Sequence, residues 1–215
     1  MSDPFADIDK EVNLEKLKNF FYKYKVIILA LMIFLITITS ILFYLSHNKT
    51  KKNLEISGYY VKIISLLQSD EEQAIIELEK LKKFKHQGYN FLSNIIIAKS
   101  KLKNGNITEA YNIIQDLEKN KIKDQLFNKL IIFYKAQILL DLNKKDELQN
   151  SIGQLLSFGS NWALLGHEIR GHYHFKNGDY ELAIKDFKKI AEEQSASSAI
   201  KSRAKDMIDS IIIYN

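Results

Sequence analysis

Three histidines lie close together near the C-terminus, in the stretch HEIRGHYH at residues 167–174. Two histidines on a helix reach one metal ion when they are four residues apart, because both then lie on one face. Here His167 and His172 are five residues apart, and His172 and His174 lie on opposite sides of a helix. His167 and His174 share a face, but two turns, about 11 Å, separate them. The spacing therefore predicts no metal site.

The other reactive side chains do not indicate catalysis. Adjacent acidic residues occur in Lys-rich segments, at Glu71-Glu72, Asp146-Glu147 and Glu192-Glu193. Neighbours in a helix do not face each other, so we expect these carboxylates to be solvated. The sequence has no glycine-rich phosphate loop, no dinucleotide fingerprint, no nucleophile elbow and no cysteine. It therefore predicts no enzyme, no cofactor, no metal and no small-molecule substrate.

The amino-acid composition indicates that helices position these side chains. The single proline, Pro4, lies at the N-terminus, so no later proline interrupts helical backbone. The 215 residues suffice for one domain and an appendage. Among 31 basic residues only Arg170 and Arg203 are arginines, although nucleic-acid recognition favours arginine. We therefore expect an all-α body that does not bind nucleic acid.

An uncharged apolar stretch of twenty residues occupies positions 26–45. As a helix it is about 30 Å long, which matches the hydrocarbon core of a bilayer. Hydroxyls of Thr37, Thr39 and Ser40 can bond carbonyls one turn back, so they cost little in lipid. A buried core helix rarely lacks a polar face over this length. Residues after the stretch show no small-residue cleavage pattern, so it is predicted to be an uncleaved membrane anchor.

The anchor follows a short tail with an apolar stripe. Asp3-Pro4 is a plausible helix start, and Leu14, Leu17, Phe21 and Tyr24 recur at helical spacing. This stripe either lies against the headgroups or continues the membrane helix. Four lysines precede the anchor and three follow it within a similar distance, so charge only weakly favours a cytoplasmic N-terminus.

A repeat follows the anchor. Helices that each follow a tight turn align on Ala74, Ala110, Leu148 and Ala183, at separations of 36, 38 and 35 residues. A period near 34 residues is typical of stacked helical hairpins. Gly105 and Gly178 are predicted to adopt the left-handed conformation that ends the first helix of a hairpin.

The second helix of each hairpin contains the packing residues. Asp179 or Thr108 is predicted to start this helix, and the small alanine lets the two helices approach closely. Ile114 and Phe187 are predicted to fill the space beside the alanines. Short turns make the two helices antiparallel neighbours.

The fourth unit resembles a tetratricopeptide repeat. Its matching residues are Gly171, Gly178, Asp179, Tyr180, Ala183 and Phe187. His167 and His174 stand where the repeat has aromatic residues, so the resemblance implies that both pack between helices. The second unit keeps Ala98, Gly105 and Ala110, whereas the third has Asn143 at its turn.

The layout of the whole chain also resembles a family. An acidic and aromatic start, one membrane span, degenerate repeats and a last helix containing IKSRAKDMI follow in order. This layout is similar to the N-terminally anchored tetratricopeptide-like proteins of Gram-negative bacteria, the ancillary subunit of the SecYEG translocon and its alphaproteobacterial relatives. The resemblance implies an inner-membrane protein with a cytoplasmic N-terminus and periplasmic repeats. It implies binding to translocon subunits, a periplasmic chaperone, and nascent or unfolded clients. The alternative is an envelope scaffold or assembly factor unrelated to export.

The predicted organisation is all-α. Residues 1–25 form a cytoplasmic amphipathic tail, residues 26–45 the anchor, residues 46–194 a solenoid of about four hairpins, and residues 195–215 a capping helix. A serine is expected to start the last helix, whose apolar side covers the end of the stack. That side contains Ile200, Ala204, Met207, Ile208 and Ile211.

The first helices of such hairpins line a concave face. Tyr59, Phe133 and Phe175 fall on positions that point into this face, where exposed aromatics would form an apolar groove for an unfolded segment or a partner helix. The alternative for each is burial between neighbouring repeats.

Overall fold

A computed structural model describes residues 4–120 and 122–214. Over these residues the regular structure is entirely helical, with no strand, which confirms the predicted all-α class. The helices are α1 (Pro4–Leu66), α2 (Glu71–Leu81), α3 (Gln87–Lys103), α4 (Ile107–Lys119), α5 (Gln125–Leu142), α6 (Lys145–Ser157), α7 (Ser160–Lys176), α8 (Tyr180–Glu192) and α9 (Ser198–Tyr214). A short 3-10 helix, Lys82–Phe84, follows α2.

The chain divides into two compact units, Met1–Ser57 and Gly58–Asn215. Helix α1 supplies the first unit and also the first residues of the second. Within α1, Tyr22–Leu66 is long and apolar enough to cross a membrane, and among the described residues it is the one helix of that kind. Helix α1 therefore includes the residues of the predicted tail, those of the predicted anchor and the first residues of the second unit.

Hydroxyl groups within the apolar stretch bond to the backbone of their own helix. Thr37 donates to the carbonyls of Ile33 and Phe34 at 2.9 and 2.8 Å. Thr39 makes the same kind of bond one turn back. These bonds satisfy the hydroxyls within the helix, as predicted for the two threonines.

The start of α1 fits the predicted tail in part. The helix begins at Pro4, where the sequence places a helix start. Asp3 lies outside the described residues, and so do the side chains of Leu14, Leu17 and Phe21, on which the predicted stripe depends.

Four helical hairpins make up the second unit. Helix α3 pairs with α4, α5 with α6, and α7 with α8. The end of α1 meets α2 through the hydrogen bond that the Tyr59 hydroxyl donates to Glu77. The four residues that define the repeat register are all buried: Ala74, Ala110, Leu148 and Ala183. Ile114 and Phe187 are buried beside them. The predicted register and packing are therefore confirmed.

The turns of the second and fourth hairpins use glycine as predicted. Gly105 and Gly178 have φ values of 78° and 80°. In both turns the glycine N–H and the next N–H bond back to carbonyls of the first helix, which satisfies the last helical carbonyls. Asn143, with φ of 59°, takes this conformation in the third hairpin, because asparagine tolerates it better than most residues.

Two helix starts refine the predictions. Asp179 precedes α8, but Asn106 rather than Thr108 precedes α4. The prediction for Thr108 was therefore wrong, since the two-bond turn brings the chain into the helix sooner. The last helix begins at Ser198, three residues later than predicted, and Ser197 caps it by accepting a hydrogen bond from Ile200 N at 3.4 Å.

Two clusters of buried side chains form the core of the second unit. The larger joins the second and third hairpins to α7. The other joins the fourth hairpin to α9, where Ala204 and Ile211 are buried. The partly buried residues Ile200, Met207 and Ile208 extend that apolar side. Helix α9 therefore covers the end of the stack, as predicted for a capping helix.

Candidate protein-binding groove

A groove runs across the first helices of the second, third and fourth hairpins. Its larger cleft, about 460 Å³, is bounded by α3, α5, α7 and α9. A neighbouring cleft of about 230 Å³ lies between α3 and α5. Leu102 and Gln137 line both clefts, so the two are adjacent. The groove is therefore a property of the stack, since no single hairpin contains it.

Apolar and polar side chains line the larger cleft in equal number. Apolar side chains of α3, α5 and α7 line it: Leu102, Phe133, Leu140, Leu165 and Ile169. Polar side chains complete it: Gln137, Asp141, Glu168, His172 and Arg203. Apolar pockets with a few polar groups are the usual form of binding sites.

An ion pair joins α7 to α9 at one end of the groove. Arg203 Nε and a terminal nitrogen donate to the two carboxylate oxygens of Glu168, at 3.0 and 3.2 Å. This two-point contact fixes the orientation of both side chains more tightly than a single bond. It places α9 as a wall of the groove as well as a cap.

His172 lies beside this ion pair. Its ring meets Phe187 edge to face, with the ring centres 5.3 Å apart. Burial lowers the pKa of His172, the charge of Glu168 acts in the opposite direction, and Arg203 lowers it further. The histidine is therefore neutral at physiological pH and serves as an apolar wall with a polar edge.

The three aromatic residues predicted to bind partners lie in different surroundings. Phe133 lines the larger cleft and its ring centre is 5.2 Å from that of Tyr134. Tyr59 lines neither cleft and donates its hydroxyl hydrogen to Glu77. Phe175 also lies outside both clefts and packs on Tyr180. The structure therefore places Phe133 in the groove, and a binding role for each of the three stays a prediction.

Two of the three histidines of the opening motif, His167 and His174, lie close to Asp186, a residue that the sequence did not single out. Asp186 of α8 is buried, and Arg170 binds both its oxygens, with distances of 2.8 Å from Nε and 2.6 Å from the terminal nitrogen. His167 Nδ1 lies 2.8 Å from the same carboxylate. His174 Nε2 is 3.9 Å from it. His167 and His174 thus pack between α7 and α8 and face a carboxylate there.

Charge and hydrogen bonding explain why Asp186 stays ionised in the interior. Burial alone would raise the pKa of Asp186, but the hydrogen bonds from Arg170 and His167 outweigh burial and hold that pKa well below its usual range. Among the described residues, no group of three or more histidine, aspartate or glutamate side chains has an arrangement that could hold a metal ion. Asp186 therefore belongs to a structural ion pair of the fourth hairpin.

One sequence signal pointed to Asp186. Ala183, Phe187 and Ile190 form the buried stripe of α8, and Asp186 falls within that stripe. An acidic residue on an apolar face needs a buried cation, and Arg170 is one of only two arginines. The groove residues Gln137 and Asp141 gave no such signal, because polar residues on an amphipathic helix are ordinary.

Two of the acidic residues predicted to be solvated are partly exposed and also contact a neighbouring hairpin. Glu147 accepts a hydrogen bond from the Tyr111 hydroxyl, and Lys144 lies over the Tyr111 ring, 4.4 Å from its centre. Glu71 pairs with Lys103 of the next hairpin at 2.5 Å. These contacts link successive hairpins, because each joins residues more than thirty positions apart.

Comparison with known proteins finds one match. A family model described as a tetratricopeptide repeat-like domain matches residues 18–209, which include most of α1 and all four hairpins. No curated protein and no solved structure matches the chain.

Proposed function

Because the chain belongs to the family of tetratricopeptide repeat-like domains, which are typically non-enzymatic scaffolds for protein interaction, we propose that it is a membrane-tethered module that binds the SecYEG translocon and periplasmic chaperones or emerging clients. In this proposal the N-terminus is cytoplasmic and the repeats are periplasmic, in the inner membrane of a bacterium. The resemblance of the chain layout to the ancillary translocon subunit family supports the choice of partner.

The observation that carries the proposal is the groove. Its two adjacent clefts draw residues from three hairpins, have apolar surface on α3, α5 and α7, and contain Phe133. A groove of this form suits an amphipathic helix or an extended segment, because partner side chains can insert between the first helices. Arg203 and Glu168 form an ion pair with each other, so together they add no net charge to the cleft.

The anchor contributes through effective concentration. A module confined to the membrane meets other membrane components as an almost intramolecular partner, so modest affinity suffices for frequent contact. An apolar segment within Tyr22–Leu66 supplies the tether. A general envelope scaffold would use the same groove and tether, so the identity of the partner distinguishes it from an export factor.

In-cell crosslinking tests the partner. A photoreactive amino acid replaces Phe133 in the groove, Tyr59 or Phe175 outside it, or Leu182 as a control exposed on α8. We expect Phe133 to give crosslinks to translocon subunits, a periplasmic chaperone or exported chains, identified by mass spectrometry, and Leu182 to give none. Identical products from Phe133 and Leu182 would refute the groove. Envelope partners unrelated to export would favour the scaffold.

Cysteine labelling tests the orientation. The natural chain has no cysteine, so an introduced one is the only thiol. Ser202→Cys lies on α9 and Lys18→Cys precedes the apolar stretch, and both positions are exposed. With the outer membrane permeabilised, a membrane-impermeant maleimide should label Ser202→Cys and leave Lys18→Cys unlabelled until the cells are lysed. The reverse pattern would contradict the proposed topology.

A further inference from the structure

A further cleft, separate from the two clefts of the groove, lies between α3 and α4. Its volume is about 420 Å³, within the usual range for ligand sites. The residues that line it are unusually rich in side-chain amides: Gln87, Asn90, Asn94 and Asn120. Phe91, Ile113, Leu117 and Ile122 provide apolar surface, and Lys82 and Asp116 provide charge. This set is richer in side-chain amides than the larger cleft of the groove, where Gln137 is the one amide among the lining residues.

Three of these amides form a stripe along α3. Gln87, Asn90 and Asn94 follow each other at intervals of three and four residues, so they share one face of the helix. Asparagine is disfavoured in helix interiors relative to alanine or leucine. Asn90 lies in the first turn of α3 and Asn94 near its middle, so Asn94 in particular costs helix stability unless it makes a compensating contact.

The structure gives these amides no such contact within the described part of the chain. The side chains of Gln87, Asn90 and Asn94 take part in none of its hydrogen bonds, and Asn90 Oδ1 is buried without a partner. Asn120 differs, since its side chain bonds the carbonyl of Asp116 at the end of α4. Buried polar atoms are nearly always paired in folded proteins. The stripe therefore has donors and acceptors to offer to a ligand.

In the fourth hairpin, the residue at the position equivalent to Asn94 is His167, and it makes a contact within the protein. Asn94 lies eleven residues before the turn glycine Gly105, and His167 lies eleven before Gly178. His167 bonds Asp186 across its hairpin, whereas residue 113, at the position of Asp186, is isoleucine. Asn94 thus has no partner across its own hairpin and faces the cleft instead.

The spacing of Asn90 and Asn94 fits one kind of ligand. In an extended peptide the N–H and C=O of alternate residues point to the same side, about 6.6 Å apart. Helix positions four residues apart, such as Asn90 and Asn94, are about 6 Å apart along the axis. A side-chain amide has one acceptor and two donors, so it can accept from an N–H and donate to a C=O.

We propose that the cleft between α3 and α4 binds the main chain of an extended polypeptide segment through the amide stripe Gln87, Asn90 and Asn94. Side chains on the facing side of the bound segment enter the apolar part of the cleft at Ile113 and Leu117. Because main-chain groups are common to all sequences, this site accepts segments of many sequences. Its ligand class is unfolded or extended polypeptide, which goes beyond the groove proposed above.

Peptide binding to the full-length protein in lipid nanodiscs tests the inference. The probe is a fluorescein-labelled peptide in which leucine alternates with serine, with a lysine at each end, and anisotropy reports binding. A second peptide keeps the alternating pattern, with valine in place of leucine and threonine in place of serine, and a third is the first peptide with alternate backbone nitrogens methylated. We expect the first two to bind equally and the methylated one at least tenfold more weakly, because it lacks the N–H donors.

Variants locate the site. Asn90→Ala and Asn94→Ala should each weaken binding of the unmethylated peptide about 2- to 10-fold, the usual effect of a lost neutral hydrogen bond. Asn112→Ala, exposed on α4 outside the cleft, is the matched control and should bind as the natural chain does. Circular dichroism verifies the fold, and Gln87→Ala, at the exposed start of α3, replaces any variant that melts early.

Three results would overturn the inference: no peptide binds, the methylated peptide binds as well as the unmethylated one, or Asn94→Ala behaves as Asn112→Ala. Phe133→Ala separates the two sites. Peptide binding that depends on Phe133 but not on the stripe would support the groove and refute the amide site. Peptide binding that depends on the stripe, together with no export partner in the crosslinking, would support the amide site and refute the proposed translocon function.

Discussion

The second and fourth hairpins have the same turn but different interiors. Both end their first helix at a left-handed glycine. Eight residues to either side of that glycine, the second hairpin has Ile97 and Ile113, and the fourth has Arg170 and Asp186. The difference teaches that this repeat constrains the backbone path and the small residue at the crossing. It leaves the chemistry of these two positions free.

A pair of apolar residues and a buried ion pair respond differently when one member is changed. An apolar pair loses packing when one member is shortened, and the neighbours relax in part. A buried ion pair that loses one member leaves a charge without compensation, although replacing both members by apolar residues is often neutral. The fourth hairpin should therefore be sensitive to single changes and tolerant of the matched double change.

Removing the buried carboxylate should give the largest effect. Asp186→Ala leaves Arg170 without its partner and should lower the free energy of unfolding by about 3–5 kcal/mol. Thermal unfolding followed by circular dichroism measures the loss. The double variant Arg170→Ile with Asp186→Ile makes the fourth hairpin resemble the second and should recover most of the stability. A double variant as unstable as Asp186→Ala would show that the pair cannot be exchanged for apolar packing.

Acid should weaken the fourth hairpin next most strongly. The pKa of Asp186 is depressed in the folded state, so its contribution is complete above the unfolded value of about 3.9 and is lost as pH falls below it. The natural chain should therefore lose stability more steeply between about pH 4 and pH 2 than the apolar double variant. Melting temperatures of both across this range give the comparison, and parallel curves would contradict it.

The turns should respond alike in the two hairpins. Gly105→Ala and Gly178→Ala each force a β-carbon into the left-handed region and should cost about 1–2 kcal/mol. Substitution by asparagine should cost less, because Asn143 already adopts this conformation in the third turn. Unequal losses for the two alanine variants would mean that the turns are not equivalent. Thermal unfolding of the four variants decides the matter.

A change at the helix crossing should have the smallest effect. A β-carbon at Gly171 would lie 2.8 Å from Phe187 Cζ, whereas the second hairpin pairs Ala98 with the smaller Ile114. Overpacking costs roughly 1–3 kcal/mol, and alanine favours the helix over glycine by about 1 kcal/mol. Gly171→Ala should therefore lower the free energy of unfolding by about 1 kcal/mol in total. Adding Phe187→Ile should remove the clash. Thermal unfolding that shows Gly171→Ala as stable as the natural chain would refute the close contact.

Much of the fold was predictable because it depends on local chemistry. The apolar stretch at 26–45, the turn glycines and the small residues of the second helices all report on neighbouring backbone or on a fixed helical period. The start of α4 was misplaced by two residues, because a helix boundary depends on how the preceding turn closes.

The candidate sites were less predictable because they combine residues that are far apart in the chain. Phe133 was identified from its repeat position, but its neighbours Leu102, Ile169 and Arg203 belong to three other helices. The contact of Glu168 with Arg203 joins residues 35 positions apart. Periodicity shows which face a side chain occupies and does not show which distant side chain meets it.

The sequence by itself determined that the chain is helical, has one apolar segment of membrane length and turns back at regular intervals, since each of these follows from nearby residues. Only the tertiary structure decided that Asp186 meets Arg170, that two adjacent clefts form a groove and that the amides of α3 face a cleft of their own. The physical reason is that burial and pairing depend on how successive hairpins stack, and the stacking brings together side chains that no local pattern connects.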